Sequence, residues 1–202
     1  ILMQLEEEGV LTLNKELSMP LLPQRIAVVS AAGAAGYGDF CDQLMDNPYG
    51  FVFYPKLFPA VMQGDRVEET VIAALDRIAA ERDEWDVVVI IRGGGATSDL
   101  SGFDTYPLAA NCAQFPLPII TGIGHERDDT VLDLVAHTRV KTPTAAAEYL
   151  IATLSDAAAA LDTLVASLTA NFTECIHREE ARLQQIATRL PSLLALVHTR
   201  QL

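Results

Sequence analysis

Residues 87–95 read Val87-Val88-Val89-Ile90-Ile91-Arg92-Gly93-Gly94-Gly95. An unbroken run of apolar β-branched residues closed by glycines marks a strand buried on both faces, as in parallel sheets. A second stretch follows the same plan. Pro118-Ile119-Ile120-Thr121 leads into Gly122-Ile123-Gly124-His125-Glu126-Arg127-Asp128-Asp129-Thr130 and then into what reads as a helix. Both polar stretches fall at the carboxyl end of a strand, the edge at which open α/β sheets bind ligands. An arginine, bare glycine amides, a histidine and several carboxylates gathered there point to an anion site with proton-transfer groups, phosphate being the leading anion.

Outward from these stretches, strands and helices alternate. The pattern predicts strands at 25–30, about 51–57, 86–91 and 117–122, and helices at about 37–45, 64–84 and 106–114. This alternation defines an α/β fold, a parallel sheet with helices on both faces. Upstream, Leu5-Glu6-Glu7-Glu8-Gly9 reads as a helix end closed by glycine, and Pro20 to Pro23 as a linker. Downstream, Thr142 is the expected N-cap and Pro143 the first residue of a long helix. Its apolar positions, Leu150, Leu154, Ala157, Leu161, Leu164, Leu168, Phe172 and Cys175, step by four and three as in a coiled-coil seam. Ile186 and Leu190 resume the stripe, and Pro191 is expected to interrupt it. A helix docked on the sheet and a protruding arm both fit this pattern, the arm better. The chain therefore divides into a leading helix and linker (1–24), an α/β domain (25–142) and a helical arm, a long C-terminal coiled-coil-like helix (143–202).

Composition narrows the function classes. The 202 residues are half hydrophobic and carry a formal net charge of −13, which counts against a general nucleic-acid binder. Arg outnumbers Lys, however, and Arg25, Arg92, Arg127 and Arg139 flank the expected strand ends, so a local positive site on an acidic body remains open. Cys41, Cys112 and Cys175 are odd in number and far apart, as in a reducing cytoplasm, and argue against a structural zinc site. No run approaches ~18 apolar residues, so no membrane span is expected. Ile1-Leu2-Met3-Gln4-Leu5 lacks an initiator Met and a charged signal region, and reads as a cut from a longer chain.

The candidate chemistry lies in three places. Around 30–39, Ser30, Gly33 and the small residues before Asp39 could let backbone amides cradle a phosphate at a helix start, or could form a plain tight turn. Gly93, Gly94 and Gly95 permit close backbone approach, and Arg92 could donate two N–H groups to a phosphate or pair with Asp99 or Asp104. His125, after Gly124, shares a helical face with Asp128 and Asp129, where a carboxylate orients the ring. A divalent metal held by His125 and an aspartate is a further reading. His137 and His177 carry no such context and are read as solvated or structural.

Several of these segments together resemble the large-subunit family of exodeoxyribonuclease VII: Arg25-Ile26-Ala27-Val28-Val29-Ser30, the Gly33-Ala34-Ala35 turn ending in Asp39, and Arg92-Gly93-Gly94-Gly95 with Asp99-Leu100. Gly124-His125-Glu126 with Asp128 and Thr130, and Thr142-Pro143-Thr144-Ala145-Ala146-Ala147-Glu148, complete the match over about 5–150. The tail resembles the start of that subunit's coiled coil. The resemblance implies a nuclease that degrades single-stranded DNA to short oligonucleotides with 5′-phosphates, in a hetero-oligomer with a small helical subunit. It implies no required cofactor, with magnesium admitted, no membrane partner, and catalytic positions at Asp39, Arg92, His125 and Asp128. Phosphate contacts would come from Ser30, Gly33, Gly93, Gly94, Gly95 and Gly124. Three departures stand out: a longer loop before Asp39, Ala96-Thr97-Ser98 in place of a carboxylate-bearing segment, and the added charge of Arg127-Asp128-Asp129. The competing function, from a different class, is a non-catalytic phosphate- or nucleotide-binding module that assembles through its helical arm; a third is a scaffold whose tail recruits partners.

Overall fold

A computed structural model describes residues 1–93, 100–123 and 129–199, with side chains described as far as Arg189. Five parallel strands form the sheet: β1 (Arg25–Ser30), β2 (Tyr54–Pro59), β3 (Val87–Ile91), β4 (Ile119–Gly122) and β5 (Thr138–Arg139). Their spatial order is β2-β1-β3-β4-β5. The helices are α1 (Leu2–Glu7), α2 (Ala35–Met45), α3 (Val67–Ala80), α4 (Tyr106–Ala113), α5 (Val131–Val135) and α6 (Pro143–Thr199). The chain divides into two compact units, 1–157 and 158–202, so the division falls inside α6.

The sheet separates two cores. Alternate residues of the central strands, Ala27, Val29, Val88, Ile90 and Ile119, face α1, α3, α4 and α5. Their neighbours Ile26, Val28, Val87, Val89, Ile91 and Ile120 face α2 and the start of α6, through Phe40, Leu44, Ala146, Leu150 and Ile151. Every residue of β3 is buried, as its uniform apolar run requires.

Two ends are built as the sequence predicts. Gly9 takes φ 70°, with Gly9 N–H donating to Glu6 C=O and Val10 N–H to Leu5 C=O, each at 3.0 Å. This doubly bonded left-handed end closes α1. Thr142 Oγ1 accepts from Ala145 N–H at 3.1 Å and caps α6, with Pro143 first in the helix.

Other expectations are corrected. β2 begins at Tyr54 rather than near 51, because Asn47 organises the preceding loop: its side chain donates to Leu44 and Phe51 carbonyls and accepts from Tyr49 and Phe51 amides. As an edge strand, β2 tolerates Pro55 and Pro59. The long helix expected over 64–84 is shorter: Gly64 at φ 76° precedes it, and a separate 3₁₀ turn follows at Arg82–Glu84. Among the described residues, α5 begins at Val131 behind a capping box of Thr130 and Asp133, and the expected opening at 124–128 lies outside the described residues. β5 was not foreseen, since two residues carry no readable period. Pro191 does not end α6, which continues to Thr199; one proline removes one backbone donor and leaves the turns on either side paired. The described part of α6, Pro143–Arg189, is also long and apolar enough by composition to cross a membrane, with a window of mean hydropathy 1.4. Counting unbroken apolar runs overlooks this, because the alanines of α6 raise the mean between its charged residues.

Leu150 and Leu154 are buried within the sheet unit, whereas Leu161, Leu164, Leu168 and Phe172 are exposed in the second unit.

Two polar devices lock the sheet together. Asn14 is fully buried. Its Nδ2 donates to the carbonyls of Phe115 (3.0 Å) and Leu117 (2.9 Å), and its Oδ1 accepts from the amides of Ile119 and His137 (3.0 Å each). One side chain thus ties the leading segment to the entrances of β4 and β5. At the entrances of β1 and β3, the Arg25 guanidinium meets Asp86 at 2.6 Å, and the Asp86 carboxylate also accepts from the Gln24 and Arg25 amides. Burial pushes the Asp86 carboxyl up, but these donors together outweigh it and hold the group below the ordinary carboxylate range.

Two outcomes are expected. Asn14→Ala removes four satisfied hydrogen bonds and leaves buried carbonyls and amides unpaired, so urea denaturation should show a loss of about 2–4 kcal/mol. Because the Asp86 pKa is lowered on folding, its stabilisation is present above about pH 4 and is lost as pH falls through the folded-state value. Asp86→Asn should flatten that acid limb in stability measured against pH.

Candidate phosphate site at the strand-order switch

In the order β2-β1-β3-β4-β5 the chain reverses direction between β1 and β3, and a crevice opens beyond their carboxyl ends. A cleft of about 660 Å³ lies there. On one side is the turn after β1 with the start of α2; on the other is the segment 59–63 after β2; Arg92 and Gly93 come from the end of β3. Arg92 is buried, 8 % exposed, and its backbone N–H donates to Gly122 C=O at 3.3 Å.

The turn after β1 is shaped by Gly33 at φ 76°, a left-handed conformation suited to glycine, with Ala34 N–H closing onto Ala31 C=O at 3.1 Å. Among the described residues no side chain caps α2, whose N-cap is Ala34. Such a helix start favours an anion. Gly36 and Gly93 make the assembly fit. A Cβ on Gly36 would lie 2.7 Å from Gly93 Cα and 2.9 Å from Pro143 Cγ, and one on Gly93 would lie 3.0 Å from Gly36 N. The end of β3 therefore rests directly on the first turn of α2. Gly122 does the same on the other side of β3: a Cβ there would meet Thr142 O at 3.0 Å and Ile91 Cγ2 at 3.1 Å.

Of the residues singled out from the sequence, Arg92 and Gly93 line this cleft and Gly33 shapes its turn. Ser30 ends β1 fully buried; its carbonyl accepts from Ala60 N–H at 3.0 Å, and its hydroxyl has no hydrogen-bond partner among the described residues. Asp39 is exposed on α2 and is not among the residues lining the cleft. Gly94, Gly95, Gly124, His125 and Asp128 lie outside the described residues.

The arginines expected to flank the strand ends do different work. Arg25 stands at the amino end of β1, held by Asp86 and the Asp83 carbonyl, away from the switch point. Arg139 forms a two-pronged pair with Asp129, one bond at 2.6 Å, which fixes the chain where it enters α5. Arg127 lies outside the described residues. Asp104 accepts from Val131 N–H at 2.7 Å and serves the start of α5. His137 is structural, its ring nitrogens meeting Thr138 Oγ1 at 2.8 Å and Leu17 O at 3.0 Å.

Thiol chemistry finds no support. Burial pushes the Cys112 thiol up and, with Asp42 nearby, the Cys41 thiol as well, although the Tyr37 hydroxyl opposes this at Cys41. Tyr37 is itself pushed up to about 12, by burial first and by its bond to Cys41 second. Neither thiol is primed as a nucleophile. Among the described residues no group of three or more His, Cys, Asp or Glu is placed to hold a metal.

Sequence reasoning missed Gly36 and the wall at 59–63. Gly36 lay within the quoted small-residue turn, but its close neighbours come from β3 and α6, over fifty residues away in sequence. The wall carries no motif.

A profile for the family described as "Exonuclease VII, large subunit" matches residues 10–202. The chain belongs to the exonuclease VII large-subunit family. A protein of Lactobacillus helveticus named "Exodeoxyribonuclease 7 large subunit" is 37 % identical over 184 residues, which cover 91 % of this chain and 40 % of that protein. Proteins of the same name from Nostoc sp. and Thermotoga sp. are each 33 % identical, covering 96 % and 94 % of this chain and 46 % and 47 % of their own lengths. This chain thus spans less than half of the large subunits it matches. Within that span lie the residues that line the described crevice and the start of α6.

The glycine contact carries a prediction. Gly36→Ala forces backbone against backbone and should cost about 1–3 kcal/mol in urea unfolding. Gly38→Ala, where an added Cβ meets nothing within 4 Å, should be neutral or stabilise by up to about 1 kcal/mol.

Proposed function

We propose that this chain is the catalytic portion of a large subunit that hydrolyses phosphodiester bonds of single-stranded DNA, releasing short oligonucleotides with 5′-phosphates. The observation that carries the reading is the placement of buried Arg92 beside Gly93 and the uncapped start of α2, at the strand-order switch of a chain in this family. Arg92 holds the scissile phosphate and offsets the charge that develops on its non-bridging oxygens, aided by the amides of Gly93 and the start of α2. Water attacks phosphorus, the bond to the 3′-oxygen breaks, and the phosphate stays on the 5′ side.

His125 transfers a proton, to the departing 3′-oxygen or from the attacking water, with Asp128 orienting its imidazole. Asp39 positions the water or handles the second proton. Gly94, Gly95 and Gly124 contribute amides to the same phosphate, and Ser30 and Gly33 support it from the β1 side. No cofactor is required in this scheme, and magnesium is an optional addition. The exposed apolar stripe of α6 serves assembly with a small helical subunit, giving a hetero-oligomer rather than a membrane anchor. The free thiols of Cys41, Cys112 and Cys175 accord with a cytoplasmic setting.

The test uses the full-length large subunit assembled with its small partner, end-labelled single-stranded DNA and excess EDTA. Arg92→Ala should lower the cleavage rate about 10²–10³-fold. Arg92→Lys should recover little of it, because an ammonium cannot reproduce the guanidinium's two-pronged contact. His125→Ala should abolish cleavage while DNA binding persists. Cleavage that appears only with added Mg²⁺ would recast His125 and the aspartates as ligands. Nucleotide binding with no cleavage under either condition would make the chain a phosphate-binding module.

A further inference from the structure

The cleft is much larger than a phosphate, and its chemistry changes away from Arg92. Ala31, Ala32, Ala34 and Ala35 form one wall, and Pro59 to Gln63 with Thr70 form the other. Small side chains on the first wall leave the space open. Three amides of these walls are bonded within the protein: Ala34 N–H to Ala31 C=O, Ala60 N–H to Ser30 C=O at 3.0 Å, and Val61 N–H to Thr70 Oγ1 at 2.9 Å. Thr70 in turn donates to Arg66 C=O at 2.8 Å. The result is a mostly apolar slot of about 660 Å³, opening beside the buried Arg92.

We infer that this slot is a nucleobase subsite, which takes the base adjoining the phosphate held at Arg92 by contact with its faces and does not read its edges. The inference rests on the nuclease reading for the identity of the strand. A nucleobase is flat, apolar on both faces and polar only at its rim, so it matches walls whose side chains are mostly small or apolar. Pockets of a few hundred Å³ commonly enclose ligands of that size. Recognition through faces tolerates any base, as in proteins that bind single strands by stacking. Duplex DNA, whose bases face inward, cannot offer a base to the slot without unpairing. Preference for single strands and indifference to sequence then share one cause.

The test again uses the assembled full-length enzyme. The substrates are two short oligonucleotides that differ only in an abasic residue beside the cleaved bond. The variants Ala32→Phe and Val61→Trp, at exposed wall positions, fill the slot without entering the core. For the intact strand, each variant should raise KM about tenfold with a smaller effect on kcat. The wild type should show a similar rise with the abasic strand, and the variants should add little to it. Equal effects of the variants on both strands, or no discrimination by the wild type, would overturn the subsite. A strand carrying 2-aminopurine gives an independent readout, its fluorescence changing on binding to the wild type and not to either variant. Absence of cleavage by the wild type with this difference retained would overturn the nuclease reading and leave the base subsite standing. Absence of the difference would overturn the subsite, whatever the cleavage result.

Discussion

The contact on which the molecule is organised is between two glycines. Gly93 at the end of β3 and Gly36 in the first turn of α2 approach so closely that neither position has room for a Cβ, and Pro143 closes the same junction from the start of α6. The sheet order brings β1 and β3 together as neighbours, but only this backbone contact sets Arg92 against an uncapped helix start. A larger residue at either position would push the strand end off the helix and separate the guanidinium from the amides. The cost of two glycines in regular or near-regular structure, about 1 kcal/mol each in chain entropy, is offset by the packing of three elements at one point.

Stability of the sheet is secured away from that edge. The Arg25–Asp86 pair and the Asn14 hydrogen bonds act on the amino-terminal side of the strands, where the chain enters β1, β3, β4 and β5. Rigid strand entrances and a ligand crevice at the exits divide the labour as open α/β sheets do. The acidic body is consistent with this division. Arg25 pairs with Asp86 and Arg139 with Asp129, while Arg92 lines the crevice.

The central strands were readable because burial on both faces forces uniform apolar runs, and β1, β3 and β4 obey that rule within a residue or two. The ends of α1 and α6 were readable because Gly9, Thr142 and Pro143 each have a local backbone reason for their identity. β2 was misplaced by three residues because Asn47, not hydropathy, decides where its loop ends. β5 and the role of Asn14 were invisible, since both depend on partners far along the chain. At the site, Arg92 and Gly93 were legible as the residues immediately after a buried strand. Gly36 and the 59–63 wall were not, because a close approach and a cavity are properties of several segments at once.

The start of α6 has a double duty. Its Pro143 ring presses on Gly36, and the Thr142 carbonyl presses on Gly122, so both flanks of β3's exit are bounded by the same helical turn. That turn is also bonded into the sheet edge, through Val140 N–H to Thr121 C=O at 2.8 Å. A rotation of this turn by even a fraction of an ångström alters the room at two glycines that have none to spare. The root of the helix and the crevice therefore form one mechanical joint, in which whatever displaces the first also reshapes the second.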